Sequence, residues 1–194
     1  MNILKFYFYR HGATKGNEER RYVGRTDEDI TKNSEEYLKT IETVDADVVF
    51  SSPLKRCVHT AEILFPENKI IVKNGIEETY FGDFEYKNYE ELKENKDYQS
   101  WFDSRGKSGF PNGEGYLEFK ERCITAFEEI KEECLKNNYK NVAVVSHGGV
   151  IMAIFEKFAE GNFYDYQIKN GECISAFYNA DENKFYEIKR IKYD

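Results

Sequence analysis

Two of the chain's three histidines stand in settings that invite chemistry: His11 in Tyr9-Arg10-His11-Gly12 and His147 in Ser146-His147-Gly148-Gly149. Each follows directly on a short apolar run that reads as a β-strand. In parallel α/β sheets, ligands gather at the carboxyl ends of strands, so the two imidazoles are expected to face one cleft. Arg56 follows a third such run by a few residues, in the first turn of a helix, and can reach the same place. Two guanidiniums (Arg10 and Arg56), two imidazoles and flanking glycines suit a phosphoryl group. Guanidinium forks match phosphate oxygens, and glycine lets backbone approach closely. The sequence has no G-x-x-x-x-G-K nucleotide loop and no Asp/Glu cluster spaced for magnesium. A covalent intermediate then remains as the way to divide phosphoryl transfer into easier steps, and a neutral imidazole nitrogen is a competent nucleophile. The expected chemistry is a phosphohistidine formed without metal or cofactor.

The elements that must hold these residues alternate along the chain. Residues 3–9, 47–50, 69–72 and 141–145 are rich in β-branched and aromatic side chains, with helical patterns between them, which is the signature of an α/β fold. Residues 173–178 and 185–191 follow each other closely and read as a hairpin-like pair. The expectation is a three-layer α/β/α domain around a mostly parallel central sheet of about six strands. Ser52-Pro53 reads as a helix start, with a capping hydroxyl and a proline at the first position, and that helix should end near Phe65. The longest helix should span 115–137, where Tyr116, Phe119, Cys123, Phe127, Ile130 and Cys134 recur at spacings of three and four. Another should begin near Gly149 and stop at Gly161. Residues 104–115, with Pro111 and four glycines, read as a loop long enough to be a lid or a substrate contact.

Arg10-His11-Gly12, Arg56 with Thr60-Ala61, Glu78 before Phe81-Gly82, and Ser146-His147-Gly148-Gly149, in that order over nearly the whole chain, resemble the histidine phosphatase (phosphoglycerate mutase-like) superfamily. The resemblance implies a phosphoglycerate mutase-like fold. It makes His11 the nucleophile and Arg10, Arg56, His147 and Gly148 the phosphate pocket, with Asn17 an added phosphate contact. Glu78 becomes the proton donor to the leaving oxygen, which departs poorly as a bare alkoxide. Donors aimed at the equatorial oxygens stabilise the charge of the transition state, and losing one costs on the order of 10²-fold. His59, one turn after Arg56, matches the helix pattern of relatives and is expected to support the structure.

Within that superfamily, Phe81-Gly82-Asp83-Phe84-Glu85, then Trp101, then Pro111-Asn112-Gly113-Glu114-Gly115 is similar to the α-ribazole phosphatases. These remove the phosphate of α-ribazole 5'-phosphate in assembly of the cobalamin nucleotide loop. The similarity implies substrate contacts from Phe81, Trp101 and Glu114. A flat dimethylbenzimidazole would gain from aromatic walls, which Tyr80, Phe81, Phe84, Trp101 and Phe110 could supply. At least half of these five are expected to be packed instead. The sequence departs from the pattern at Ala13, where many relatives have Glu, and at Tyr86, where many have Gly. Cys57 replaces a usual Ala, and Met152 a frequent Arg. None of these touches the nucleophile or the clamp, so they bear on substrate fit. Rival readings are a broad-specificity sugar-phosphate phosphatase, a phosphoglycerate mutase and a noncatalytic phospho-ligand binding module. Residues 86–114 offer only Arg105 and scattered lysines to grip a second anionic group, which argues against the mutase. Intact catalytic positions argue against the binding module.

With 194 residues, 40% hydrophobic and 16% aromatic, the chain has core material for a single domain over 1–194 without disulfide or metal staples. A net charge of -8 argues against a nonspecific nucleic-acid binder or an anionic-membrane binder, which long-range repulsion would hold off. It leaves room for a small-molecule phosphate ester, which needs only a few local cations. Residues 1–9 are apolar but run straight into Arg10-His11-Gly12 without a small-residue cleavage site, so they do not read as a signal peptide. No segment approaches about 18 consecutive apolar residues. A cytoplasmic protein, monomer or homodimer, is expected. Cys57, Cys123, Cys134 and Cys173 lie far apart with no C-x-x-C pair and are expected to be free core thiols.

Overall fold

Alternation along one strand builds two cores. In the computed structural model, which describes residues 2–191 and 193, the first apolar run forms β1 (Ile3–Arg10). Met1, Lys192 and Asp194, the ends of the expected domain and of the apolar start, lie outside the described residues. Leu4, Phe6 and Phe8 point to one side of β1 and Tyr7 and Tyr9 to the other, as the two-residue period of a strand requires, and all five are buried.

Five further strands complete the sheet: β2 (Val48–Ser51), β3 (Ile70–Val72), β4 (Asn141–Ser146), β5 (Cys173–Asn179) and β6 (Lys184–Ile191). Their order is β3-β2-β4-β1-β5-β6. The first four in that order are parallel, β5 is antiparallel to β1, and β6 is antiparallel to β5. The expected mostly parallel sheet with a closing hairpin is therefore observed. Its register matters for function. Arg10 of β1 is level with Ser146 of β4, so the next residue on each strand, His11 and His147, emerges side by side.

Seven helices surround the sheet among the described residues: α1 (Lys15–Glu18), α2 (Lys32–Leu38), α3 (Lys55–Leu64), α4 (Tyr89–Leu92), α5 (Lys96–Asp103), α6 (Tyr116–Asn137) and α7 (Gly148–Phe158). α6 and α7 cover the Leu4, Phe6 and Phe8 face with Phe127, Ile130, Ile151 and Phe155. α2 and α3 cover the Tyr7 and Tyr9 face with Leu38, Cys57, Ala61 and Leu64. This is the three-layer arrangement. All four cysteines are buried free thiols, and among the described residues no helix is long and apolar enough to cross a membrane.

Three helix boundaries differ from expectation. α3 starts at Lys55 behind Leu54, with no side-chain cap, because the Ser52 hydroxyl is engaged elsewhere, by His147. α7 begins one residue early, at Gly148, and ends at Phe158, short of Gly161. Between Tyr86 and the 104–115 loop, α4 and α5 form, each started by an asparagine: Asn88 accepts from the Glu91 N–H, and Asn95 from that of Tyr98. With the 3-10 turn Gly82–Phe84 they bury Phe84, Leu92 and Tyr98 as a small satellite core beside the strand ends.

Candidate active site

The register of β1 and β4 sets the first dimension of the site. The His11 N–H donates to the Ser146 carbonyl at 3.0 Å, and the rings of His11 and His147 have centres 5.1 Å apart with planes crossed at 63°. Both side chains are buried, and Cys57, expected from the sequence to stay clear of the clamp, instead places its Sγ 3.4 Å from His147 Nε2, because the first turn of α3 packs against the end of β4. Nδ1 of His11 lies 2.7 Å from the carbonyl oxygen of Gly12, which can only accept. Nδ1 therefore carries the ring proton, and Nε2 keeps its lone pair. Burial, reinforced by the positive charges of Arg56 and Arg10, holds His11 well below the ordinary imidazole range. Burial, followed by Arg56, His11 and Arg10, does the same to His147. The pair is neutral at neutral pH.

The two arginines, Arg56 buried and Arg10 half-buried at the cavity wall, have backbone carbonyls as their protein partners. Nη1 of Arg10 donates to Ile168 O at 2.9 Å. Arg56, with no exposed surface, donates from Nη1 to Thr26 O at 2.9 Å and from Nη2 to Gly24 O at 2.7 Å. In each, a buried Nε–H meets no acceptor among the described residues. Burying such a charge is costly unless an anion compensates it, so the arrangement is suited to receive one.

Asn17 belongs to a capping box at the start of α1, exchanging bonds with Thr14. Its Oδ1 accepts from the Thr14 N–H and from Asn170 Nδ2, both at 3.2 Å, which leaves its amide NH₂ as the group it can offer. Asn170 also donates to the His11 carbonyl at 3.1 Å. Glu78 approaches from the opposite side. Its Oε1 accepts from the Thr79 N–H at 3.0 Å and its Oε2 from the Gly149 N–H at 3.1 Å. Gly149 must be glycine for this, because a Cβ there would collide with Oε1.

Arg10, His11, Asn17, Glu78 and Gly148 all line one cavity of about 300 Å³. Arg56 and His147 sit behind that lining, fully buried. Aromatic rings form much of the remaining wall. Of the five considered from sequence, Phe81, Trp101 and Phe110 line it, whereas Phe84 is packed in the satellite core and Tyr80 lies outside, 41% exposed. Met152 and Arg105 also face the cavity.

Glu114 does not reach it. Its carboxylate, expected from the similarity to contact substrate, is engaged by Arg122, Nε to Oε1 and Nη2 to Oε2 at 2.8 Å each. His59 is likewise outside, paired with Asp29 at 2.8 Å. Sequence reasoning did not assign Ser52, Asn170, Arg21, Tyr164 or Gln167. Ser52 bonds His147, Asn170 ties Asn17 to His11, and the other three line the cavity. A serine after a strand was a visible signal. Asn170 stands in a loop without motif, and nothing local marked it.

Two neutral histidines and two unpaired guanidiniums at the ends of parallel strands, faced by one carboxyl group, define a class of protein that handles a phosphoryl group at histidine. Comparison with known proteins agrees. Residues 6–189 match the histidine phosphatase superfamily (branch 1), and the chain belongs to it. It is 26% identical to an adenosylcobalamin/alpha-ribazole phosphatase of Escherichia coli (strain K12), over 79% of this chain and 78% of that one. It is 29% identical to a broad-specificity phosphatase of Saccharomyces cerevisiae, over 95% of this chain and 84% of that one. The crystal structure of the alpha-ribazole phosphatase from Shigella flexneri superposes with a TM-score of 0.81 at 22% identity, covering 94% of this chain and 93% of that one. The phosphoglycerate mutase-like fold is thus shared, and a histidine phosphatase activity is supported.

Proposed function

We propose that the chain is a single cytosolic phosphomonoesterase domain that acts through a phosphohistidine on His11, with α-ribazole 5'-phosphate as its substrate. The observation that carries this reading is the state of His11: neutral, its Nδ1 proton given to Gly12 O, and its Nε2 lone pair left beside the guanidiniums of Arg56 and Arg10. Nε2 attacks phosphorus while the bond to the ester oxygen breaks, and that oxygen takes its proton from Glu78. Arg10, Arg56, His147, Asn17 and the backbone at Gly148 bind the phosphoryl oxygens as their charge spreads. In the second step a water gives its proton to Glu78 and attacks phosphorus. The P–N bond breaks, inorganic phosphate leaves, and His11 returns to its first state. No metal or cofactor takes part in this scheme.

The aromatic wall of Phe81, Trp101 and Phe110 supports a leaving group with a flat apolar face, which fits the benzimidazole of α-ribazole. The test is phosphate release from α-ribazole 5'-phosphate, ribose 5-phosphate and other sugar phosphates, alongside interconversion of phosphoglycerates. We expect the highest kcat/KM for α-ribazole 5'-phosphate and ³²P from substrate trapped on His11. Faster mutase activity, or no label, would overturn the reading. A second reading, broad specificity, is favoured by the fuller coverage of the yeast relative. Similar kcat/KM values across the esters would select it.

A further inference from the structure

The segment that carries Glu78 has no helix or strand of its own between Val72 and Gly82, apart from the turn at Gly75. Something else must fix a carboxyl group whose task depends on its position to a fraction of an ångström. Arg122 of α6 holds the segment on one side. Its Nη1 donates to the carbonyls of Gly75 at 2.9 Å and Glu77 at 3.0 Å. Its other two nitrogens hold Glu114. Glu114 holds the far side, where its N–H donates to Tyr80 O at 2.9 Å and its Oε2 accepts from the Tyr80 N–H at 3.4 Å. Residues 77 and 80, which bracket Glu78, are therefore both held by the Arg122–Glu114 pair, and the Glu77 carboxylate adds ion pairs to Arg122 at 3.6 Å and Arg25 at 3.5 Å.

Three further observations make this pair a brace instead of a surface contact. The side chains are only 21% and 9% exposed, so the pair is poorly screened. The Arg122 guanidinium lies over the Phe119 ring, 5.2 Å from its centre, and Phe119 in turn packs against Gly149, the residue that donates to Glu78. One planar fork thus serves three stretches of chain at once, a geometry that lysine does not reproduce. Glu114 also sits at the end of the 104–115 loop, whose Arg105, Gly106 and Phe110 line the cavity.

We propose that Glu114 and Arg122 are positioning residues for the leaving-group proton: they set the Glu78 carboxyl and tie its position to the loop that meets the leaving group. The inference rests on Glu78 as proton donor. The phosphate clamp stands on other elements, the ends of β1 and β4 and the start of α3, and Arg122 bonds to none of them. Loss of the brace therefore slows protonation of the departing oxygen and spares attack at phosphorus.

The experiment compares two leaving groups in one preparation. The alkoxide of α-ribazole 5'-phosphate needs a proton, whereas the phenolate of p-nitrophenyl phosphate departs without one. In Arg122→Gln, kcat on the first substrate should fall by about tenfold to a hundredfold, part of the roughly 10²–10⁴-fold that a general acid supplies, and kcat on the second by less than about threefold. Glu114→Gln should show the same pattern to a smaller extent. A partly unfolded preparation loses both activities equally, so the ratio reports position and not yield. Adding Arg122→Gln to Glu78→Gln should cost no more than Glu78→Gln alone, because the two act through one group. Equal losses on both substrates in Arg122→Gln, or losses that multiply in the double variant, would overturn the brace. If Glu78→Gln itself shows no difference between the two leaving groups, the proton-donor reading fails, and the brace fails with it.

Discussion

Ser52 Oγ and His147 Nε2 are 2.8 Å apart, a bond that joins the end of β2 to the end of β4 beneath the proposed phosphate site. The Ser52 oxygen also receives the Leu54 N–H at 3.5 Å, and Cys57 Sγ lies 3.4 Å from the same ring nitrogen. The Ser52 bond fixes the orientation of the buried ring. Replacement of Ser52 by alanine removes the bond that holds the ring in this orientation. An unpaired buried group costs roughly 1–3 kcal/mol, and if half or more of that falls on the transition state the rate drops by about tenfold. We predict that Ser52→Ala lowers kcat by that order with a smaller change in KM. Steady-state kinetics on the variant would settle it, and wild-type turnover would contradict this role for Ser52.

The neutral pair predicts a pH dependence of stability. Folding holds His11 and His147 below the value they have in the unfolded chain, about 6.5, chiefly by burial and by the charges of Arg56 and Arg10. Below that pH the unfolded chain binds protons that the folded chain refuses. Stability is therefore full above about pH 6.5 and is lost as pH falls towards the folded values, by up to about 1.4 kcal/mol per pH unit for each ring. Urea unfolding at pH 7.0 and 5.5 should show this. In His147→Asn the slope should be shallower, and parallel slopes for variant and wild type would show that the ring titrates normally in the fold.

Much of this site was legible in the sequence because its residues are local to strand ends. His11, His147 and Arg56 each follow an apolar run, and the parallel pairing of β1, β4 and β2 brings those runs into line. What was not legible depends on contacts between distant segments. Ser52 looked like a helix cap, since a serine before proline is one, and only the neighbouring β4 end turns it towards His147. Glu114 was expected to contact substrate from the similarity of Asn112-Gly113-Glu114-Gly115 to the α-ribazole phosphatases, whereas its carboxylate is engaged by Arg122 of α6, a contact between distant segments. α4 spans 4 residues and α5 spans 8, too short for an apolar stripe to stand out over several turns, and both were missed, although Asn88 with Glu91 is a capping box that the sequence displays. Tyr86 stands where many relatives have glycine, and its φ of 59° supplies the reason: the backbone there is left-handed.

Gly149 offers a test of Glu78 that leaves the fold in place. Alanine is a better helix former than glycine, and α7 begins at Gly148, so Gly149→Ala should not lower helix stability. The added methyl group collides with the Glu78 carboxyl, the movable end of a side chain, and comes within 3.1 Å of Phe119 Cζ, which needs to yield only a few tenths of an ångström. The variant should keep its melting temperature, lose about tenfold or more of its kcat on alkyl phosphates, and retain most activity on p-nitrophenyl phosphate. Equal loss on both would place the damage in the phosphate clamp.

The aromatic wall separates substrate fit from packing. Phe84 is 1% exposed in the satellite core, between Tyr98, Trp101 and Phe110, and Phe84→Ala should cost about 3–5 kcal/mol of stability as a cavity opens. Trp101 packs on the same cluster but turns a face to the cavity. Trp101→Leu keeps an apolar side chain there, though a smaller one, and removes the flat ring. An aromatic pair is worth about 0.5–1.5 kcal/mol beyond its buried area, so kcat/KM for α-ribazole 5'-phosphate should fall by up to about tenfold. Ribose 5-phosphate, which has no ring to stack, should be hydrolysed almost as before. A parallel fall for both esters would mean that Trp101 shapes the site only through packing, and the flat leaving group would lose its main support.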